Sequence, residues 1–314
     1  PVLREKVAVG PKQMQEMRLH PITAGGKRIR PALLLLACQA AGGKEEDVLS
    51  AAASVELLHT FTLIHDDIMD HDLERRGKPT VHAKWGIELG ILVGDALYST
   101  AFRSLLDVGE KVSNPEAVLA SIDVLVRANS LLQEGQVLDL LFEEDARVSM
   151  EDYLDMVFKK TGVLIQASLE IGGILAGASQ EQLEALRMYG RHIGLAFQIK
   201  DDVLDLTADE QVLGKPVGSD VRKGKFTLMV VHALENVSGG DRDILLNVLG
   251  DKEASQEDVD AFISKLNEAG SIDYAKSEFS RHIDEAKQLL DAFPENEGSE
   301  GLRLIADYIG QRLF

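Results

Sequence analysis

One cysteine, Cys38, stands among 314 residues. No disulfide can close within the chain, and a disulfide-stapled secreted scaffold is excluded. Aromatic residues are scarce at 5%, and the alternating Val/Ile/Thr/Tyr runs and Asn-Gly turns that mark strands are missing. The expected fold class is therefore all-α. No apolar run approaches the roughly 18–20 residues that cross a bilayer: Ala32–Ala41 is too short, and Val163–Ala178 is interrupted by Gln166 and Glu170. No transmembrane segment is expected. No signal peptide is visible, although the chain opens at Pro1, and a cytoplasmic location is expected. Positive charge is also short, with 33 Lys plus Arg against 52 Asp plus Glu and a net charge of −19. That balance argues against nucleic acid as a partner. Any anionic ligand must be captured by local cations against the overall field.

What is present is helical periodicity. Apolar residues recur at three- and four-residue spacing from Val48 to Ile68, Val118 to Leu141, Tyr153 to Leu175 and Leu183 to Leu206, predicting long helices. Asn114-Pro115 sets a cap before a proline at the first helical position. Ser149–Asp152 and Ser255–Asp258 read as capping boxes. Gly42-Gly43, Gly239-Gly240 and Gly270 read as helix stops, and Pro294–Gly301 as a loop before a last helix. No internal repeat or low-complexity linker interrupts the pattern, so one all-α domain over 1–314 is expected.

Two of these helices close on the same acidic motif, Asp66-Asp67-Ile68-Met69-Asp70 and Asp201-Asp202-Val203-Leu204-Asp205. Residues i and i+4 lie one above the other on a helix. Each motif therefore stacks two carboxylates one turn apart, with a third beside them. Like charges so placed repel, and the negative end of the helix dipole adds to the penalty. A bound divalent cation offsets it, and Mg²⁺ favours one or two carboxylates completed by water and substrate phosphates. Two such motifs facing each other would suit several Mg²⁺ ions bridging a diphosphate. The bland alternative is an acidic protein with solvated acidic faces. Against it, both motifs follow apolar stretches, Leu57–Ile64 and Ile193–Ile199, and two copies are rare by chance.

Cations recur close to these carboxylates. Gly25-Gly26-Lys27-Arg28-Ile29-Arg30-Pro31 lacks the nucleotide P-loop spacing; it reads as a glycine turn into a helix over Ile29–Ala41. Lys27 and Arg30, three residues apart, can face the same way. Arg75-Arg76-Gly77 follows Asp70 by a short link, Lys159-Lys160-Thr161 sits in an otherwise apolar helix, and Lys215, Lys223 and Lys225 follow the second motif. Guanidinium grips phosphate oxygens through paired hydrogen bonds and lysine supplies a point charge. A lone helical histidine such as His59 is more often a packed residue than a ligand. His65-Asp66 admits a competing reading, an all-α metal phosphohydrolase of the HD type, which leaves the glycine-turn motif and the second aspartate motif unexplained.

Taken together, these motifs resemble the trans-isoprenyl diphosphate synthases of the polyprenyl synthetase family, and most nearly a short-chain geranylgeranyl or farnesyl diphosphate synthase. The resemblance runs in order through Gly-Gly-Lys-Arg-Ile-Arg-Pro, Leu-Ile-His-Asp-Asp-Ile-Met-Asp, Glu-Arg-Arg-Gly-Lys-Pro-Thr-Val-His, Lys-Lys-Thr-Gly, Phe-Gln-Ile-Lys-Asp-Asp-Val-Leu-Asp and Gly-Lys-Pro-Val-Gly-Ser-Asp-Val-Arg-Lys-Gly-Lys-Phe-Thr, from Gly25 to Phe226. It implies a helical bundle around a deep cavity, usually a homodimer, that condenses isopentenyl diphosphate with allylic diphosphates. By the same resemblance Asp66, Asp67, Asp70, Asp201, Asp202 and Asp205 would hold three Mg²⁺, with Asp66, Asp70 and Asp201 as direct ligands. Arg75, Lys160 and Lys215 would contact the allylic diphosphate, helped by Thr161, Gln198 and Lys225. Lys27, Arg30, His59 and Arg76 would bind isopentenyl diphosphate. The chain ends Gln311–Phe314 rather than in the basic tail of some members.

Product length is expected to follow from bulk ahead of the first motif. Phe61 lies five residues before Asp66, about 7–8 Å lower along the helix, and Thr62, four before, is small. The resemblance implies that bulk at these two positions forms a floor and that one aromatic at the first of them gives a C20 product, with farnesyl diphosphate (C15) as runner-up. The alternative floor is Tyr98 and Phe102, which share a face at i,i+4. A non-catalytic helical paralogue, expected to carry a degraded aspartate motif, is the remaining alternative.

Overall fold

The computed structural model describes residues 1–142, 148–207 and 217–310; Lys215 and Gln311–Phe314 lie outside them. It is 80% helical, so the expected class holds. The helices are α1 (Val2–Val7), α2 (Lys12–Thr23), α3 (Ile29–Ala40), α4 (Leu49–Met69), α5 (Val81–Trp85), α6 (Ile87–Leu106), α7 (Pro115–Phe142) and α8 (Met150–Val157). There follow α9 (Val163–Ala176), α10 (Gln180–Thr207), α11 (Ser219–Arg222), α12 (Leu228–Asn236), α13 (Gly240–Val248), α14 (Gln256–Glu268), α15 (Ser271–Leu289) and α16 (Glu297–Gly310). The long periodic runs became α4, α7 and α10 within a few residues of their expected ends. The Asn114 Oδ1 accepts from the amides of Glu116 and Ala117 at 3.1 and 3.2 Å, and both capping boxes form.

Three expectations need correction. Tyr153–Leu175 is not one α-helix: a π-helical turn, Phe158–Gly162, joins α8 to α9. A hairpin does occur, β1 (Glu74–Arg75) antiparallel to β2 (Lys78–Pro79); two-residue strands are too short to show alternation. The last helix begins at Glu297, inside the segment read as loop. Among the described residues, moreover, the stretch Ile87–Glu110 is long and apolar enough to cross a membrane by length and composition, with 39% of its apolar window buried. Its apolarity is broken by Asp95 and Arg103, which hid it from a search for uninterrupted runs.

Two compact units form. The first comprises Pro1–Arg127, Ala167–Arg187 and Ala292–Leu302; the second comprises Ala128–Gln166, Met188–Asp291 and Arg303–Phe314. In the first unit α4 is the central element, with Ala51 through Leu58 buried without interruption. Helix α6 closes against its last turns because two glycines allow it. A Cβ on Gly94 would sit 2.3 Å from the His65 Nε2, and one on Gly90 2.9 Å from the Ile68 Cδ1. The chain end carrying the first aspartate motif is thus fixed by close helix contact. In the second unit, fully buried Tyr153, Tyr189, Phe262 and Phe279 anchor the core. Here too glycine permits close approach. A Cβ on Gly194 of α10 would lie 2.4 Å from the Gly162 Cα, and one on Gly135 of α7 2.4 Å from the Lys160 amide nitrogen. Both meet the π-helical turn.

Candidate active site

In the first unit the aspartate motif closes α4, and Asp70 is its C-cap. Asp66 is half-buried, Asp70 exposed and Asp67 buried at 4%. Asp67 points inward and takes a hydrogen bond from the Arg75 Nε at 2.5 Å. Burial pushes its carboxyl above the ordinary range, against the pull of Arg75. The hairpin delivers that arginine: Arg76 and Gly77 both have positive φ, 55° and 71°, which suits a tight two-residue turn. The turn swings Arg76 onto the glycine motif, where it donates to the Gly25 carbonyl. A side chain at Gly26 would meet its guanidinium at 2.5 Å.

Arg28 also adopts a left-handed conformation, φ 52°, and such strain in a bulky residue tends to mark a working site. Its guanidinium pairs with buried Glu56 and donates to the Ile22 carbonyl at 2.5 Å. Arg30 reaches His59 at 3.3 Å. Burial lowers the Arg30 pKa to about 10, with Glu56 opposing and Arg76 reinforcing. His59 is held far below its usual pKa by burial and then by Arg30, Arg76, Arg75 and Arg28, so it stays neutral. Among the described residues Arg28 and Arg75 have carboxylate partners while Arg30 and Arg76 do not, and the buried Arg30 Nε has no hydrogen-bond partner. Two guanidiniums with no ion-pair partner of their own among the described residues, Arg30 near Glu56 and Arg76 near Glu56 and Asp67, could hold an anion. Lys27 is exposed.

The same unit holds the aromatic residues expected to bear on product length. Phe61 meets Tyr98 at 5.2 Å and His65 at 4.7 Å, and Tyr98 meets Phe102 at 5.0 Å. The two floors that the sequence offered as alternatives are therefore one contiguous ladder. Thr62 is buried and donates to the His59 carbonyl at 2.9 Å. His65 lies against α6, with its Nε2 3.3 Å from the Ile91 carbonyl.

In the second unit a cavity of ≈190 Å³ is lined by Lys160, Thr161, Gln198, Asp202 and Lys225, residues expected to act together. Asp139 completes it, receiving the Lys160 Nζ at 2.6 Å and the Lys225 Nζ at 2.7 Å. Burial raises its pKa, but the two ammonium groups outweigh that and hold it below the ordinary carboxylate range. Thr161 donates to Gln198 at 3.0 Å, Gln198 to Asp202 at 2.8 Å, and Tyr153 to Asp202 at 2.8 Å. Asp202 has no cation in this chain of bonds, and burial drives its pKa up to about 7. Asp205, also buried, accepts from the Asp220 amide at 3.1 Å, while Asp201 is exposed. The π-helical turn sets Lys160 and Thr161 on this wall, in keeping with the concentration of such turns at working sites. The sequence reading missed Asp139, Tyr153, Arg28, Glu56 and Asp220. Asp139 and Tyr153 look like ordinary members of amphipathic helices, and only the lysines' need for a counter-ion could have pointed to Asp139.

The chain as a whole is similar to known proteins. The chain matches the family described as polyprenyl synthetase over residues 11–266. It belongs to the polyprenyl synthetase family. The family is one of prenyltransferases. The geranylgeranyl diphosphate synthase of Methanosarcina mazei is 47% identical over 305 residues, 97% of this chain and 91% of that protein. The geranylfarnesyl diphosphate synthase of Aeropyrum pernix is 40% identical, covering 98% of this chain and 96% of that one. The crystal structure of geranylgeranyl pyrophosphate synthetase from Pyrococcus horikoshii matches this polyprenyl synthetase family member with a TM-score of 0.93 and 42% identity, covering 99% of this chain and 94% of that one.

Proposed function

We propose that this family member condenses isopentenyl diphosphate with allylic diphosphates, head to tail, giving geranylgeranyl diphosphate as main product, and that residues 1–314 act as one catalytic domain. The observation that carries the reading is that each aspartate motif closes a helix in a unit that also gathers cations: Arg28, Arg30, Arg75 and Arg76 in the first, Lys160 and Lys225 converging on Asp139 in the second. Hard carboxylate oxygens at Asp66, Asp70 and Asp201, the less buried members, suit Mg²⁺, three ions being expected. Asp67, Asp202 and Asp205 complete the set from the buried side. When bound, Mg²⁺ neutralises and orients the departing diphosphate.

The chain's own groups do the rest. Arg30, Arg76, Lys27 and neutral His59 hold isopentenyl diphosphate. Arg75, Lys160, Lys225 and Lys215 hold the allylic diphosphate and stabilise charge as its C–O bond breaks; Lys215 lies outside the described residues. Thr161 and Gln198 present oxygen dipoles to the allylic cation. The isopentenyl double bond attacks that cation, and the proton then lost passes to the released diphosphate. The Phe61–Tyr98–Phe102 ladder forms the floor that limits the growing chain to C20. Relatives named geranylgeranyl diphosphate synthase support that length, and the geranylfarnesyl relative named above makes C25 the nearer alternative to C15. Ile87, Ile91 and Leu92 on α6 are exposed at 51%, 43% and 56%, which supports a homodimer in which a second copy covers them, at a cytoplasmic location.

One assay tests the proposal. Incubation with Mg²⁺, isopentenyl diphosphate and an allylic diphosphate should yield a C20 prenyl diphosphate. Phosphate release from a nucleotide with no prenyl product would instead establish the HD-type reading, and silence in both assays would leave a non-catalytic helical protein.

A further inference from the structure

Away from both aspartate motifs, α10 and α15 bring three ligand-bearing side chains together within the second unit. The Nδ1 atoms of His192 and His282 are 2.8 Å apart, and the Glu285 Oε2 is 3.2 Å from the His192 Nδ1. His192 lies about 13 Å along α10 from Asp201 at 1.5 Å per residue, and none of the three lines the cavity described above. Two imidazole nitrogens at this distance, edge to edge, are held together by one shared proton or by a cation. The separations fall close to the ~3.3 Å between ligand atoms of a tetrahedral zinc site with bonds of about 2.0–2.1 Å. We propose that His192, His282 and Glu285 form a second metal site, selective for a borderline divalent ion such as Zn²⁺, which clamps α10 to α15.

The donor set separates this site from the aspartates. Two imidazoles and one carboxylate favour Zn²⁺, Co²⁺ or Ni²⁺, whereas Mg²⁺ prefers all-oxygen coordination. The protonation state also fits. Burial holds both rings below the ordinary histidine range, His282 down to about 4, so both offer lone pairs at neutral pH, as metal ligation requires. The flanking charges nearly balance. Arg281 donates to both Glu285 oxygens at 3.0 and 2.8 Å and to Glu278 at 2.6 Å, and it is the resident competitor that the ion displaces from Glu285. His282 is 4% exposed and the His192 side chain 14%, while the Glu285 side chain is 39% exposed, so an ion can enter from the Glu285 side and keep a water as its fourth ligand.

The test titrates Co²⁺ into chelator-stripped protein held in excess Mg²⁺ and reads the visible ligand-field absorption, which is intense for tetrahedral nitrogen coordination and weak for octahedral oxygen coordination. The expected result is one equivalent of intense absorption, displaced by Zn²⁺. It should be lost in His192→Asn and in His282→Asn, weakened more than about tenfold in affinity in Glu285→Gln, and retained in Asp66→Ala and Asp201→Ala. Glu285 is partly exposed, so its variant reports on the site without threatening the fold. Absence of the band in the wild-type protein, its persistence in both histidine variants, or its loss in the aspartate variants would overturn the proposal. Because the readout needs no prenyl substrate, its failure is distinct from any failure of the proposed synthase activity.

Discussion

Asp67 and Asp202 hold the same place in two copies of one motif, and both are 4% exposed, yet they are stabilised by opposite means. Asp67 has an arginine at 2.5 Å. Among the described residues Asp202 accepts from the neutral donors Tyr153 and Gln198. In α4 the helix explains the inward turn, since Asp66 and Asp70 share one face and Asp67 is rotated about 100° from the first; in α10 Asp205 is buried together with Asp202, and only Asp201 of the three is exposed. What Asp67 and Asp202 find inside differs. At one carboxylate an ion pair pulls against the effect of burial. The other sits among neutral donors and is poised to take a proton near neutrality.

The largest effects should come from the outward carboxylates, where the two motifs ought to behave alike. Asp66→Ala and Asp201→Ala should each lower turnover by about a hundredfold or more, with helical circular dichroism unchanged. A large loss in one variant and none in the other would break the symmetry between the motifs.

The inward pair should separate under pH. With a folded pKa of about 7 against an ordinary 3.8, Asp202 binds a proton in the folded protein that the unfolded chain has already released. Stability from this group is therefore full at about pH 4 and falls as pH rises to about 7, by on the order of 4 kcal/mol for a shift of about three units. Chemical denaturation of Mg²⁺-free protein across that window measures it. Asp202→Asn should flatten the dependence, whereas Asp67→Asn should leave most of it in place; an equally steep profile in Asp202→Asn would remove Asp202 as the source.

Smaller differences should follow from deleting the partners. Arg75→Ala strands a buried carboxylate and should destabilise the metal-free protein by about 1–3 kcal/mol. Tyr153→Phe removes one neutral hydrogen bond and should cost about 1 kcal/mol. Equal losses would mean that the ion pair adds nothing beyond a hydrogen bond.

The contrast also marks how far sequence could be read. The length and phase of α4 and α10 follow from apolar spacing, although α4 is buried on every side from Ala51 to Leu58. The Ser149 and Ser255 caps are local chemistry and were equally legible. The cation motifs around Lys27, Arg30, Arg76 and Lys160 were visible as clusters, and the structure gathers them unit by unit. The split between Asp67 and Asp202 was not legible, since it depends on which side chain another element presents to each. Nor was the role of Asp139, which needs the π-helical turn and Lys225 to be placed before it becomes a counter-ion.

The smallest predicted effect is a change of product rather than of rate or stability. Because Phe61, Tyr98 and Phe102 form one ladder, Phe61→Ala should lengthen products past C20, Thr62→Phe should shorten them toward C15, and Phe102→Ala should act in the same direction as Phe61→Ala, more weakly. Chain-length analysis of the products reads all three, and no change in any of them would move the floor off this ladder.

The turn at Phe158–Gly162 can be viewed as one residue too many. A π turn accommodates a surplus residue without breaking the helix, and everything beyond it is out of phase with what precedes it by about 100°, the rotation of one residue. Deleting a single residue there would restore a regular helix and relieve the local irregularity. It would also swing the lysine and threonine away from Gln198, or carry α9 off its buried face. Regularity and activity are thus opposed at this point, and a more ordinary helix should make a less competent catalyst.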